Sequence, residues 1–161
     1  MKKEPTTKVS FDGLGIAPKI IEILDSLKFI HPTPIQNKAI PVAIEGTDVI
    51  GVAQTGTGKT LAFAVPVVQR LAKSAGKCLV IVPTRELAVQ VDETFRKIAP
   101  KFGLNSVVII GGVPMNSQLR TLKKNPRIII ATPGRLVDHM RQKTMRLNQV
   151  EILILDEADR M

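Results

Sequence analysis

The sequence contains no tryptophan, no tyrosine and a single cysteine, Cys78. One thiol can neither close an internal disulfide nor furnish a multi-cysteine metal site. Five phenylalanines are the only aromatic residues, so recognition of a nucleic acid by rows of stacked bases is not expected. Long apolar runs are missing too: those at 78–82 and 152–155 fall far short of the roughly 20 residues that cross a bilayer. Glu4-Pro5 rather than an apolar segment follows Lys2-Lys3, so no secretory leader is expected. These absences predict a soluble, cytoplasmic chain of a reducing compartment with no membrane partner.

What is present is globular. The chain has 161 residues, 44% hydrophobic and 23% charged, enough for one domain with a real core and too few for two ordinary ones. Its net charge of +9 is unevenly placed. Residues 96–146 hold eleven basic residues (Arg96, Lys97, Lys101, Arg120, Lys123, Lys124, Arg127, Arg135, Arg141, Lys143 and Arg146) and one acid, Asp138. The remainder, twelve basic and thirteen acidic residues, is close to neutral. A segregated basic stretch points to a polyanion, and with so few aromatics the contacts expected are to backbone phosphates.

Short apolar, β-branched runs alternate with amphipathic stretches. Strands are expected at 49–53, 78–82, 107–110, 127–131 and 152–155, each apolar enough to be buried on both faces. Helices are expected at 16–27, 34–44, 59–72, 85–98, 115–123 and 134–142, with Pro34 and Pro133 in first turns and Gly46 past a helix end. Gly103, Gly111-Gly112 and Asn125-Pro126 mark loops, and the first eight residues are expected to fray. The alternation predicts an α/β fold, a mostly parallel sheet with helices on both faces. Such sheets bind ligands at the carboxyl ends of their strands.

The strongest motif is Ala53-Gln54-Thr55-Gly56-Thr57-Gly58-Lys59-Thr60, placed between an apolar run and a predicted helix. Its glycines allow backbone N–H groups to cradle phosphates at a helix N-terminus. Lys59 is suited to the β- and γ-phosphates and the Thr60 hydroxyl to Mg²⁺. The strict pattern has glycine where this chain has Ala53. Asp156-Glu157 ends the last apolar run; one acid there can hold the Mg²⁺ and the second can orient or deprotonate an attacking water.

Asp156-Glu157-Ala158-Asp159 spells the signature of the DEAD-box RNA helicases, and the chain resembles their first RecA-like domain from end to end. Phe29-Ile30-His31-Pro32-Thr33-Pro34-Ile35-Gln36 resembles the Q motif, with Phe11 at the spacing of its isolated aromatic residue and Lys28 where glycine is usual. Residues 53–60 match the helicase form of the phosphate loop, in which Ala53 is normal. Pro83-Thr84-Arg85-Glu86-Leu87 resembles motif Ia, Gly111-Gly112 the Gly-Gly motif, and Thr132-Pro133-Gly134-Arg135 motif Ib.

The resemblance implies a RecA-like P-loop NTPase domain with ATP and Mg²⁺ as cofactors and RNA as partner. Gln36 would read adenine, since an amide can both accept from and donate to its edge. Phe11 would stack on the ring or, alternatively, staple the first helix. Gln54, Thr55, Gly56, Thr57, Gly58, Lys59 and Thr60 would hold phosphates, and Thr60 and Asp156 the metal. Lys59, Asp156 and Glu157 would carry the chemistry. Pro83, Thr84, Arg85, Gly111, Gly112, Thr132, Pro133, Gly134 and Arg135 would lie on the RNA backbone. The implied organisation is a flexible 1–8, a Q-motif segment 9–37 and the ATP-binding domain 38–161, incomplete at its C-terminal end and lacking the second RecA-like domain that supplies arginine fingers. A partly uncovered sheet is therefore expected, with nucleotide and RNA binding weak and turnover slight.

Other residues take plainer readings. His31 is expected to be structural, His139 to lie on the surface, Cys78 to act as a small hydrophobe and Asp12 to cap a helix. Lys123-Lys124 stays open between RNA contact and a solvated pair, and Asp159 reads as a residue that holds the site together. Two functions remain: the ATP-binding half of an ATP-dependent RNA helicase, or a non-catalytic nucleotide- and RNA-binding module. A DNA helicase is the weaker rival, and the oligomeric state is open.

Overall fold

The computed structural model describes residues 10–161, so the expected fraying of the first eight lies outside the described residues. The chain divides into two compact units, one ending at Gln69 and the other running Arg70–Met161. No helix among the described residues is long and apolar enough to cross a membrane.

The first unit carries α1 (Pro18–Ser26), α2 (Pro34–Ile44) and most of α3 (Lys59–Leu71). Proline opens both α1 and α2, where its missing N–H would have had no intrahelical partner. The buried Gln69 side chain on α3 accepts from Ala17 N–H (2.7 Å) and donates to Gly15 C=O (2.8 Å), pinning the segment before α1. Helix α1 ends in a Schellman turn: Phe29 N–H bonds Leu24 C=O, Lys28 N–H bonds Asp25 C=O, and Lys28 adopts φ 63°. The turn explains why glycine is favoured at position 28, because a side chain in the left-handed region crowds its own backbone. Lys28→Gly is accordingly expected to stabilise the chain by about 1 kcal/mol, a rise of roughly 2–4 °C in the thermal midpoint by calorimetry.

The expected strand at 49–53 does not form. Those residues lie in no strand, with Ile50 97% and Val52 94% exposed. An apolar run states only that burial would be favourable; a strand also needs a neighbour to receive its ladder of hydrogen bonds.

The second unit holds a wholly parallel four-stranded sheet ordered β2-β3-β1-β4, from β1 (Lys77–Ile81), β2 (Ser106–Ile109), β3 (Ile128–Ala131) and β4 (Val150–Leu155). Helices α4 (Arg85–Ile98), α5 (Met115–Leu122) and α6 (Pro133–Arg141) make the crossovers, as parallel pairing requires. One sheet face presents Leu79, Val107, Ile109, Ile129 and Ala131 to Leu136 and Met145; Cys78, Val80, Ile128 and Ile130 are buried on the other. Burial drives the Cys78 thiol pKa well above its ordinary value, so it behaves as the small hydrophobe expected. Strands β1 and β3 are buried on both faces as their composition predicts. On β4, Leu153 and Leu155 remain 55% and 54% exposed, because this edge strand continues the core face past its covering helices. Helix α4 buries Ala88, Val91, Phe95 and Ile98 at helical spacing. Its buried Asp92 accepts from Arg96 Nε (2.6 Å) and from the Ser106 hydroxyl, tying the helix to the start of β2.

Candidate functional site

The loop before α3 is shaped by two glycines in the left-handed region, Gly56 (φ 81°) and Gly58 (φ 88°). The Thr57 hydroxyl donates to Gln54 C=O (2.6 Å), closing the turn, and α3 starts at Lys59 with its first N–H groups facing the loop end. Gln54, Thr55 and Gly56 are exposed, while Thr57, Lys59 and Thr60 are half-buried. Gln36, buried on the first turn of α2, reaches this loop. Its Oε1 accepts from Thr33 N–H (2.9 Å) and its Nε2 donates to Gly58 C=O (3.1 Å). Thr33 Oγ1 is buried beside it without a hydrogen-bond partner. A Cβ on Gly58 would run into the Gln36 amide, so space and backbone both call for glycine there. Both ends of the Gln36 amide are engaged by the protein itself. Phe11 is 2% exposed, so its ring is part of this unit's core.

In the second unit, three predicted segments converge beyond the carboxyl ends of β1, β2 and β3. Thr132 N–H bonds Ile109 C=O (3.1 Å) and Val82 N–H bonds Ala131 C=O (3.0 Å), holding the three strand ends level. Gly112 has φ 77°, and the Arg85 guanidinium lies 2.5 Å from where its Cβ would be. Arg135 donates through Nη1 to Val113 C=O (2.8 Å), with Asp138 3.7 Å from its Nε. Thr132 precedes α6 without a side-chain cap, and Thr84 caps α4 by accepting from Leu87 N–H. Two helix N-termini and two guanidinium groups thus meet around one Gly-Gly turn, a geometry suited to phosphate oxygens.

The basic window is not all available to that surface. Arg127 donates to the carbonyls of Gly76 (2.5 Å), Ser74 (2.9 Å) and Leu71 (3.2 Å), where it finishes the C-terminal end of α3. Arg96 is paired with Asp92.

His139, expected on the surface, is fully buried (0% exposed). Its Nε2 lies 2.9 Å from Gln118 Oε1 and its Nδ1 2.9 Å from Thr144 Oγ1, which also reaches His139 C=O. Gln118 Nε2 donates to Ile110 C=O (2.7 Å). That bond orients the amide, so Gln118 Oε1 accepts from His139 Nε2–H, and in the neutral ring the single Thr144 hydroxyl proton is shared between Nδ1 and His139 C=O. The sequence carried a faint signal: His139 falls three residues after Leu136, on the helix face that enters the core. Desolvation, reinforced by the Arg135 cation and opposed by Asp138, holds the His139 pKa below its ordinary 6.5. The native state therefore resists a proton that the unfolded chain accepts. Stability is full above pH 6.5 and falls as pH drops from there toward the native value. Thermal midpoints measured from pH 7.5 to 5.5 should decline, and less steeply in His139→Gln.

Asp156 is buried directly after β4, its N–H bonded to Ile81 C=O (3.0 Å). Glu157 follows in the left-handed region (φ 52°, ψ 44°), with Arg160 Nη1 3.5 Å from its Oε2. A non-glycine residue held there stores backbone strain of the kind concentrated at functional sites. Among the described residues no three His, Cys, Asp or Glu side chains group as a metal cage.

The DEAD/DEAH box helicase family matches residues 33–161. The chain is 48% identical over 164 aligned residues to the ATP-dependent rRNA helicase RRP3 of Debaryomyces hansenii, covering 98% of this chain and 34% of that protein. RRP3 of Yarrowia lipolytica is 48% identical, with 99% and 34% covered. Among solved structures, the RNA helicase Prp28 of Chaetomium thermophilum bound to ADP superposes with a TM-score of 0.87 at 39% identity, over 94% of this chain and 39% of that one. A DEAD box protein of Methanococcus jannaschii gives 0.88 at 35% identity, over 94% and 42%. The chain spans about a third of the length of these curated relatives.

Proposed function

The chain belongs to the DEAD/DEAH box helicase family, and from that premise we propose that it is the ATP-binding half of an ATP-dependent RNA helicase, which couples nucleotide binding and hydrolysis to local opening of RNA duplexes. The observation that carries this reading is the 54–60 loop, with Gly56 and Gly58 in left-handed conformations at the start of the 13-residue helix α3. In this reading the loop amides and Lys59 take the phosphates, and Gln36 reads the adenine edge with its second Nε2–H and remaining Oε1 lone pair while keeping its bond to Gly58 C=O. Phe11 supports the adenine end from within the core; a stack on the base would require its ring to turn out. The Thr60 hydroxyl and the Asp156 carboxylate are each hard oxygen donors of the kind Mg²⁺ takes, and in this reading they would hold it. Such an ion would supply neutralisation of the charge that develops on the phosphates. Glu157 orients the attacking water and takes its proton.

Pro83, Thr84, Arg85, Gly111, Gly112, Thr132, Pro133, Gly134 and Arg135 form the RNA face in this reading, one that senses backbone and not sequence. A second RecA-like domain would complete the cleft and supply arginine fingers, which are worth roughly a thousandfold or more in phosphoryl transfer. Residues 1–161 alone should therefore bind nucleotide weakly and turn it over slowly.

Steady-state ATP hydrolysis, with and without single-stranded RNA, tests this against a Glu157→Gln control. Nucleotide binding with turnover at the control level is the expected result. RNA-stimulated turnover abolished by the substitution would overturn the need for a second domain. Absence of nucleotide binding would overturn the reading of the loop.

A further inference from the structure

We propose that Gln118 and His139 are positioning residues for RNA: together they hold the Gly111-Gly112 turn and the N-terminal turn of α6 at the spacing needed to take neighbouring phosphates of one strand. The proposal rests on the reading of this face as an RNA surface. Gln118 is 3% exposed and His139 0%, so neither is placed to contact RNA itself. Each reaches a different part of that face. Gln118 Nε2 donates to Ile110 C=O, the residue immediately before the Gly-Gly turn. His139 belongs to the helix whose first turn carries Arg135, and its ring donates to Gln118 Oε1 (2.9 Å). On the outer side Arg135 Nη1 bonds Val113 C=O, the residue immediately after the turn.

The turn is therefore clamped on both flanks to α6, by a neutral buried bridge on one side and a charged, half-buried one on the other. Thr144 closes the inner bridge by meeting His139 at both Nδ1 and its carbonyl. A face of packed apolar residues would stabilise the domain as well, but it would not define the height of a glycine turn above a helix end. Directional bonds to the turn's own flanking carbonyls do. A site pre-arranged for successive phosphates avoids ordering the turn at the moment of binding.

The chemistry separates two substitutions of the same histidine. In His139→Gln the amide Nε2 stands near the imidazole Nε2 and can still donate to Gln118. In His139→Asn the shorter amide keeps the Thr144 side and loses Gln118. Affinity of the 161-residue chain for a fluorescein-labelled oligouridylate would be measured by anisotropy across a salt series, at a temperature where circular dichroism shows every variant folded. His139→Asn and Gln118→Leu should each weaken binding by about five- to tenfold and reduce the salt slope by about one. Their double variant should be no weaker than either single, and His139→Gln should stay close to the parent.

Amide exchange supplies a readout that needs no RNA: residues 111–113 should exchange about tenfold faster in Gln118→Leu than in the parent. Lower thermal midpoints with unchanged affinity, salt slope and exchange would reduce the pair to a structural role and overturn the proposal. A parent chain without affinity for the RNA, or an Arg135→Gln variant with undiminished affinity, would overturn the RNA reading itself and the proposal with it. In that event faster exchange at 111–113 would still report the clamp, which keeps the two failures apart.

Discussion

Gly58→Ala is expected to weaken ATP binding by about a hundredfold. Two independent costs act at this one position. Its φ of 88° lies where a Cβ costs about 1–2 kcal/mol, and the added methyl displaces the Gln36 amide that bonds Gly58 C=O, a loss of about 1 kcal/mol or more. Together these approach 3 kcal/mol, or two powers of ten in affinity. Gly56→Ala provides the comparison, because Gly56 has φ 81° but open space where its Cβ would stand. It carries the strain without the collision, and about tenfold is expected. Titration of both variants with a fluorescent ATP analogue, in the parent and in a Gln36→Ala background, separates the terms. The Gly58 penalty should shrink toward the Gly56 value once Gln36 is gone. Equal penalties in the parent background would show that the Gln36 latch has no part in shaping the loop.

That latch also marks the limit of what residue patterns convey. The Pro-Thr-Pro-Ile-Gln segment identifies Gln36 and its place on a helix, because capping and proline preferences are local. Which group the amide meets is a non-local fact, and in this structure it meets the loop. The same division runs through the fold. All six helices and the strands at 77–81, 106–109, 128–131 and 150–155 follow from periodicity and helix boundaries within a few residues. Residues 49–53 have equally strong apolar character and form no strand, since composition names no pairing partner. Likewise Leu153 and Leu155 read as buried because a run of apolar residues does not reveal that its strand lies at an edge.

Charge counting has a comparable blind spot. The basic window contains Arg135, which is bonded beside the Gly-Gly turn, yet the same count includes Arg127, whose guanidinium is committed to the carbonyls of Leu71, Ser74 and Gly76. His139 is the largest misreading. On a helix rich in charge it looks solvent-facing, and only the tertiary pairing with Gln118, twenty-one positions earlier, makes its burial tolerable. Lys28 shows the reverse case: the glycine usual at that position becomes intelligible once the backbone there is known to be left-handed.

Gly112→Ala is expected to separate binding from stability on the proposed RNA face. The backbone term, φ 77° at a residue with a side chain, should cost about 1–2 kcal/mol of folding stability. The steric term falls on the end of Arg85, 2.5 Å from the new methyl. That guanidinium ends a flexible side chain, so it can swing aside at little cost to the fold. Its displacement matters only if it was placed for a phosphate. Affinity for single-stranded RNA should then drop about tenfold, with the salt slope reduced by about one, as for loss of a single phosphate contact. Arg85→Ala should give a similar loss with stability nearly unchanged, and adding Gly112→Ala to it should lower stability without weakening binding much further. Fully additive losses would mean that glycine is required at 112 for the close approach of the RNA backbone itself. An unchanged salt slope in all three variants would place the phosphate contacts elsewhere on the basic surface.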